Sequence, residues 1–280
     1  MNQSLKCMLI LVAVLSSWFF DGSTIATAAE DANPEANSDD HVYYYGAFNR
    51  FKPGKEREAR EFIYDHFWTV DKVIERKPIA FDFVTGPWHH IVFFRLENGL
   101  ADAEFTNTAQ VQKWLKQFEK QEGGPEAAAK SQAHFDAMID ETVSGVFKIP
   151  SDDVEAIENA YSYNSKKNFF RVVFANYKAG KEPAATKMIM EQFRPARLKT
   201  GRLVVPLFSV AGPYDHIVFV HLDPSSLDNI IADSQDADWV KAMGGVEKTA
   251  KAQSIYSDYL QQVVREIAVG RWYDGSAAKQ

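Results

Sequence analysis

Two histidines stand 126 residues apart in nearly the same local sequence: His90 in Gly86-Pro87-Trp88-His89-His90-Ile91-Val92-Phe93 and His216 in Gly212-Pro213-Tyr214-Asp215-His216-Ile217-Val218-Phe219. An unperturbed imidazole titrates at about pH 6.5, so either one suits a general base that takes a proton from an acidic carbon or a phenol. The same pair fits a structural part, bonding a hairpin or a helix end, and its presence in both places agrees with either role. Tyr43, Tyr44, Tyr45, Trp68, Trp88 and Tyr214 supply aromatic walls for a flat ligand, with Arg50, Arg95 or Arg171 to orient an anionic group. The ligand-contacting set selected on this reading is Tyr45, Asn49, His66, Trp68, Trp88 and Arg95. Core packing accounts for large aromatics equally well.

Other chemistries lack their residues. His66, His89, His221 and Asp215 are of metal-ligating type, but neighbours such as His89 and His90 project to opposite faces of a strand. No H-E-x-x-H, cysteine cluster or EF-hand loop is present, so no metal is expected. Gly123-Gly124-Pro125 lacks the lysine and spacing of a phosphate loop, and no G-x-G-x-x-G follows a strand. Gly-x-Ser-x-Gly is absent as well, which leaves a hydrolase nucleophile elbow without support. No cofactor is expected. The 31 Lys and Arg against 38 Asp and Glu give a net charge of -7, which argues against nucleic acid as a partner held by charge.

The elements that position these residues occur twice. At the offset of 126, Phe51-Lys52-Pro53-Gly54-Lys55-Glu56 meets Tyr177-Lys178-Ala179-Gly180-Lys181-Glu182, and 17 of the 53 positions from 45 to 97 are identical to their partners. Unrelated chains of ordinary composition match at roughly one position in sixteen. The register then shifts by about five residues, where Gly123-Gly124, Lys130 and Gln132 meet Gly244-Gly245, Lys251 and Gln253. Residues 41–150 and 168–272 read as two copies of one unit, joined by a polar linker at 151–167.

Within each copy, Tyr43–Phe51 and Phe169–Tyr177 have strand composition, and a glycine turn follows. Ala59, Phe62, Ile63, Phe67, Val70, Val73 and Ile74 recur at helical spacing over 55–74, as do Ala185, Met188, Ile189 and Phe193. Ile79–Thr85 and Leu203–Ala211 predict second strands, which the Gly-Pro turns connect to the third. Helices at 106–121 and 226–243, each followed by a glycine pair and a second helix, lead to last strands at 142–149 and 260–269. The order strand, helix, strand, strand, helices, strand is ferredoxin-like.

In the third strand both alternating sets are apolar, Ile91 and Phe93 on one side and Val92 and Phe94 on the other. Both sheet faces therefore want burial, which two copies satisfy by packing their open faces together. The predicted fold is α+β, two tandem ferredoxin-like repeats packed sheet-to-sheet as an intrachain barrel, a pseudo-dimer that is itself a monomer. On this duplicated order, and on the aromatic-rich strand at the G-P-[WY]-x-H-I-V-F turn, the chain resembles the dimeric α+β barrel superfamily. That superfamily includes antibiotic-biosynthesis monooxygenase-like, EthD-like and NIPSNAP-like proteins. The resemblance implies a small-molecule cavity and transfers no catalytic set. The copies have diverged at Asn49/Ala175, Trp68/Arg194, His89/Asp215 and Arg95/His221, and a single cavity is expected in the first, where His66, Trp68, Trp88, His89, His90 and Arg95 gather.

Lys6, the apolar run Met8–Phe20 and Ala26-Thr27-Ala28 read as a signal peptide over 1–29, and 30–40 as a disordered tether. Export to the periplasm or exterior is expected, with no membrane anchor after cleavage. The one cysteine, Cys7, lies ahead of the apolar run, so neither a lipoprotein nor a disulfide is expected. Residues 273–280 read as a tail. The leading expectation for function is binding of a small apolar or aromatic ligand. The alternatives are a cofactor-independent monooxygenase-like or isomerase-like enzyme with His90 or His216 as base, and a non-catalytic envelope interaction or stress protein.

Overall fold

Residues rich in aromatic and branched side chains form eight strands: β1 (His41–Phe51), β2 (Ile79–Phe83), β3 (His90–Arg95), β4 (Ile139–Pro150), β5 (Phe169–Tyr177), β6 (Val204–Ala211), β7 (His216–Leu222) and β8 (Leu260–Arg271). The computed structural model describes residues 41–154, 169–201, 203–222 and 237–271. The expected signal peptide, tether and tail, and 155–167 of the expected linker, lie outside the described residues. The strands close into one antiparallel barrel in the order β1-β3-β2-β8-β5-β7-β6-β4. Each half is a four-stranded ferredoxin-like sheet, and the chain has the predicted α+β fold.

The halves join at two seams, β2 on β8 and β4 on β6. Since β6 is the counterpart of β2, and β8 of β4, the seams are one contact made twice, as in an isologous dimer. The lumen repeats the pattern in side chains. Trp88 Nε1 donates to the hydroxyl of Tyr214 at 2.9 Å, Phe93 meets Phe219 edge-on at 5.9 Å between centroids, and Phe48 meets Phe174 at 6.5 Å. In all three pairs a residue touches its own counterpart 126 positions on, which places an approximate two-fold axis inside the barrel. Gly46 makes room for this packing, since a Cβ there would lie 2.8 Å from Phe93 Cε1. The interior cavity amounts to about 10 Å³, so aromatic rings rather than a ligand occupy the barrel.

Helices cover the outer face of the sheets. In the first half these are α1 (Glu56–Phe62), α2 (Trp68–Val73), α3 (Ala109–Glu122) and α4 (Pro125–Asp136). In the second they are α5 (Glu182–Met188), α6 (Arg194–Lys199), α7 (Ala237–Ala242) and α8 (Val246–Tyr259). The helix predicted over 55–74 is interrupted by a π-helical turn at Ile63–Phe67, and its counterpart by another at Ile189–Phe193. Such turns insert one residue into the helical ladder and re-aim the side chains after it. The helix predicted from 106 starts later because Thr108 caps it, its hydroxyl accepting the Val111 amide at 3.2 Å, and Gly123 ends it in the left-handed region at φ 91°. No described helix is long and apolar enough to cross a membrane.

Candidate functional site

The register of the first sheet sets one polar row across three strands. Asn49 of β1 stands opposite His90 of β3, which stands opposite Asp82 of β2. All three are buried, His90 to 2% exposure, on the helix-facing side of the sheet. His90 Nδ1 and Asp82 Oδ1 are 2.9 Å apart. The Tyr64 hydroxyl donates to Asp82 Oδ2, and the Arg60 guanidinium lies 3.6 Å from Oδ1. An Nδ1 proton directed at this carboxylate leaves the lone pair of a neutral imidazole on Nε2, the arrangement that a general base requires. Asn49 accepts from the Thr142 hydroxyl at 2.9 Å, which fixes the amide oxygen and turns the NH2 group away from Thr142.

Above this row lies a cavity of about 90 Å³ between sheet and helices, with almost entirely apolar walls. Ala47, Val92 and Phe94 form its floor, and the π-helical turn brings Ile63, Phe67 and Trp68 over it. His90 and Asn49 line it from the sheet, and a second polar pair, Asp71 and Arg76, lines it elsewhere. Arg76 Nη2 lies 2.6 Å from Asp71 Oδ1, and its guanidinium stacks 4.4 Å from the Phe94 ring centre. Burial pushes the Asp71 carboxyl up, opposed by Arg76, and pushes the Arg76 guanidinium down, opposed by Asp71.

Of the residues selected from sequence, the structure brings Asn49, Trp68 and His90 to this cavity. Tyr45 instead stacks on Phe105 at 4.7 Å, where burial raises its phenol. His66 bonds Glu122 at 2.8 Å and stacks on Phe62. Trp88 belongs to the barrel interior through its bond to Tyr214, and Arg95 lines a separate surface hollow with Tyr44 and Arg76. His89 accepts the Phe51 amide on Nδ1 at 2.8 Å, and burial lowers its pKa. Asp215 accepts the Tyr177 amide at 2.7 Å, so the His89/Asp215 divergence keeps one acceptor role with two residue types.

His216 holds the place of His90 in the second sheet, opposite Ala175 and Phe208. Neither neighbour can bond it. It is 1% exposed, both ring nitrogens lack a hydrogen-bond partner, and burial pushes its pKa down to about 3. Phe208 stacks on the ring at 4.8 Å between centroids. His216 lines a cavity of about 360 Å³, larger than the one beside His90 in the first half, where the single cavity was expected. Arg171, Arg194, Arg197 and Arg265 line this space, with no carboxylate among the described lining residues. Asp153 bonds Arg194 Nε at 2.9 Å from beside it.

Asp82, Asp71 and Arg197 escaped the sequence reading. Asp82 was findable: it is the only charged residue of an otherwise apolar strand, and counting back through the Gly86-Pro87 hairpin sets it opposite His90. Asp71 and Arg197 occupy equivalent helix positions of opposite charge, a contrast that means nothing until both are seen to face cavities. Among the described residues no three His, Cys, Asp or Glu side chains gather as a metal site.

No protein-family profile matches the chain, and no curated protein matches it by sequence. Solved structures are similar at the level of overall shape. A candidate monooxygenase from Fusobacterium nucleatum is 10% identical over 82% of this chain and 92% of its own, with a TM-score of 0.49. An anthrone oxidase-like protein is 11% identical over 85% and 95%, with a TM-score of 0.47. A chlorite dismutase variant from Candidatus Nitrospira defluvii is 12% identical over 81% and 90%, with a TM-score of 0.43.

Proposed function

We propose that the first-half cavity binds a compact, largely apolar molecule carrying one acidic C–H or O–H, and that His90 moves that proton without a cofactor. The observation that carries this reading is the buried His90–Asp82 pair at the edge of an otherwise apolar cavity. Asp82 holds the tautomer and balances the imidazolium as it forms, while Tyr64 and Arg60 hold Asp82 in place. The walls exclude water, which strengthens each of these interactions. A dry cavity of about 150 Å³ admits benzene, so about 90 Å³ favours a smaller molecule.

The test is hydrogen–deuterium exchange of nitromethane, a carbon acid of four heavy atoms, followed by proton NMR in D2O at neutral pD. Wild type is expected to accelerate exchange over buffer, and His90→Gln to lose the acceleration by roughly 10²-fold. Exchange by wild type at the buffer rate overturns the proposal.

From Lys6, the Met8–Phe20 run and Ala26-Thr27-Ala28 we further infer an exported protein whose two repeats span 41–150 and 168–272. Mass determination of the protein recovered from its own cells, with an N-terminus at Ala29 or Glu30, supports export.

A further inference from the structure

The polar row that crosses the first sheet continues onto a fourth strand, since Thr142 of β4 stands opposite Asn49. It runs Thr142, Asn49, His90, Asp82, and on the same rung the second half has Val263, Ala175, His216, Phe208. Only the imidazole is common to both. The hydroxyl that fixes the amide, the amide itself and the carboxylate are present together in one half and absent together from the other. Thr142 takes the amide oxygen of Asn49 at 2.9 Å, and the NH2 group has no partner among the described residues. The same holds for His90 Nε2, while Nδ1 is engaged by Asp82. Both residues are 2% exposed, and both line the first-half cavity. A donor and an acceptor left over in residues this deeply buried are costly unless a ligand completes them. The other charged and amide side chains on the cavity wall are committed, Arg76 to Asp71 and Gln132 to Asp136, which accepts from Nε2 at 2.9 Å.

We propose that Asn49 is a catalytic residue that donates to the oxygen of a small enolisable carbonyl compound while His90 takes the proton from the adjacent carbon. Asn49 acts in the same reaction as His90, so its role rests on the reading of His90 as a base and names the substrate class of that site. Residues directly opposite on antiparallel strands have Cβ atoms about 4.5–5.5 Å apart. A molecule bridges such a pair when its acidic hydrogen and the oxygen that takes the charge sit on different atoms. In the step, the C–H bond breaks and its proton passes to His90 Nε2. The bonding pair becomes the C=C bond of the enolate, and the C=O π pair moves onto oxygen. Asp82 balances the imidazolium, and the N–H of Asn49, whose amide Thr142 holds in place, stabilises the enolate oxygen. Return of the proton to carbon reverses the step, so no oxidant or co-reactant is consumed.

Hydrogen–deuterium exchange on the full chain separates the two roles when acetone, whose charge goes to oxygen, is compared with chloroform, a carbon acid with as many heavy atoms whose charge stays on carbon. Wild type is expected to accelerate both, and His90→Gln to slow both. Asn49→Ala installs the residue type that Ala175 supplies on this rung of the second half. It is expected to slow acetone exchange by roughly 10²–10³-fold and to leave chloroform exchange within about threefold of wild type. A merely structural Asn49 would slow both alike. Should Asn49→Ala fail to fold, the Asn49 side-chain NH2 resonances of wild type decide: acetone is expected to move one downfield, as a new hydrogen bond does, and chloroform to leave it in place. A resonance unmoved at acetone saturation overturns the proposal. Equal slowing of both exchanges by Asn49→Ala, slowing of neither, or acceleration of chloroform alone by wild type overturns the role of Asn49 and leaves that of His90 standing. Exchange of both compounds at the buffer rate overturns the two roles together.

Discussion

His90 and His216 occupy the same rung of two equivalent sheets, yet His90 stands between Asn49 and Asp82 while His216 stands between Ala175 and Phe208. One imidazole is bonded to a carboxylate, and the other is buried without a partner. The same ring on the same rung is thus bonded in one half and unbonded in the other because its neighbours differ, Asn49 and Asp82 against Ala175 and Phe208.

The first consequence is acid sensitivity. The pKa of His216 is depressed in the folded state to about 3, so below about pH 6.5 the unfolded chain takes up a proton that the folded chain refuses. Stability from this group falls as pH falls, by about 1.4 kcal/mol per pH unit, or about 2 kcal/mol between pH 6.5 and 5. His216→Phe removes the slope and also removes an unbonded polar group. Urea unfolding of both proteins at pH 7 and pH 5 checks this: the variant should gain relative to wild type on acidification.

A transplant tests whether the neighbours account for the difference between the two rings. Phe208→Asp sets a carboxylate opposite His216, as Asp82 is set opposite His90. The anion favours the imidazolium, so the His216 pKa should climb from about 3 towards the ordinary histidine value. An NMR titration of the ring reads this in the folded protein. A value still near 3 would mean that position on the rung is insufficient to form the pair.

The Asp71–Arg76 pair makes a different prediction, because both charges are buried and each depends on the other. Arg76→Met leaves a carboxylate without its cation and should destabilise the protein by about 3–5 kcal/mol at neutral pH. With the Asp71 pKa already raised by burial, that penalty should shrink as pH falls and the carboxyl takes up its proton. The double variant Asp71→Leu with Arg76→Met should recover most of the loss, and urea unfolding of the three proteins closes the cycle.

How much of this was legible in sequence depends on the range over which each signal acts. The barrel was legible because strand alternation and duplication are local patterns, and Ile91 to Phe94 demanded burial on both faces. The contacts of His90 required one further step, the hairpin register. The location of Trp88 was out of reach, since an aromatic residue after a Gly-Pro turn reads alike in a ligand cavity and in a barrel interior. Only barrel closure decides it. The π-helical turns were hidden too, because apolar spacing over 55–74 tolerates one inserted residue without losing its helical period.

That barrel closure is itself testable at Trp88 and Tyr214, counterparts that meet across the pseudo-two-fold axis. The indole N–H donates to the phenol oxygen inside an aromatic cluster that includes Phe48 and Phe174. Tyr214→Phe removes the acceptor and should cost about 1–3 kcal/mol, because the indole donor is then left in an apolar setting. Trp88→Phe alone should cost more, through the lost volume. If the hydrogen bond couples the halves, Trp88→Phe with Tyr214→Phe should cost less than the sum by about 0.5–3 kcal/mol. Simple additivity in urea unfolding would show that the halves are held together by ring packing and the two strand seams alone.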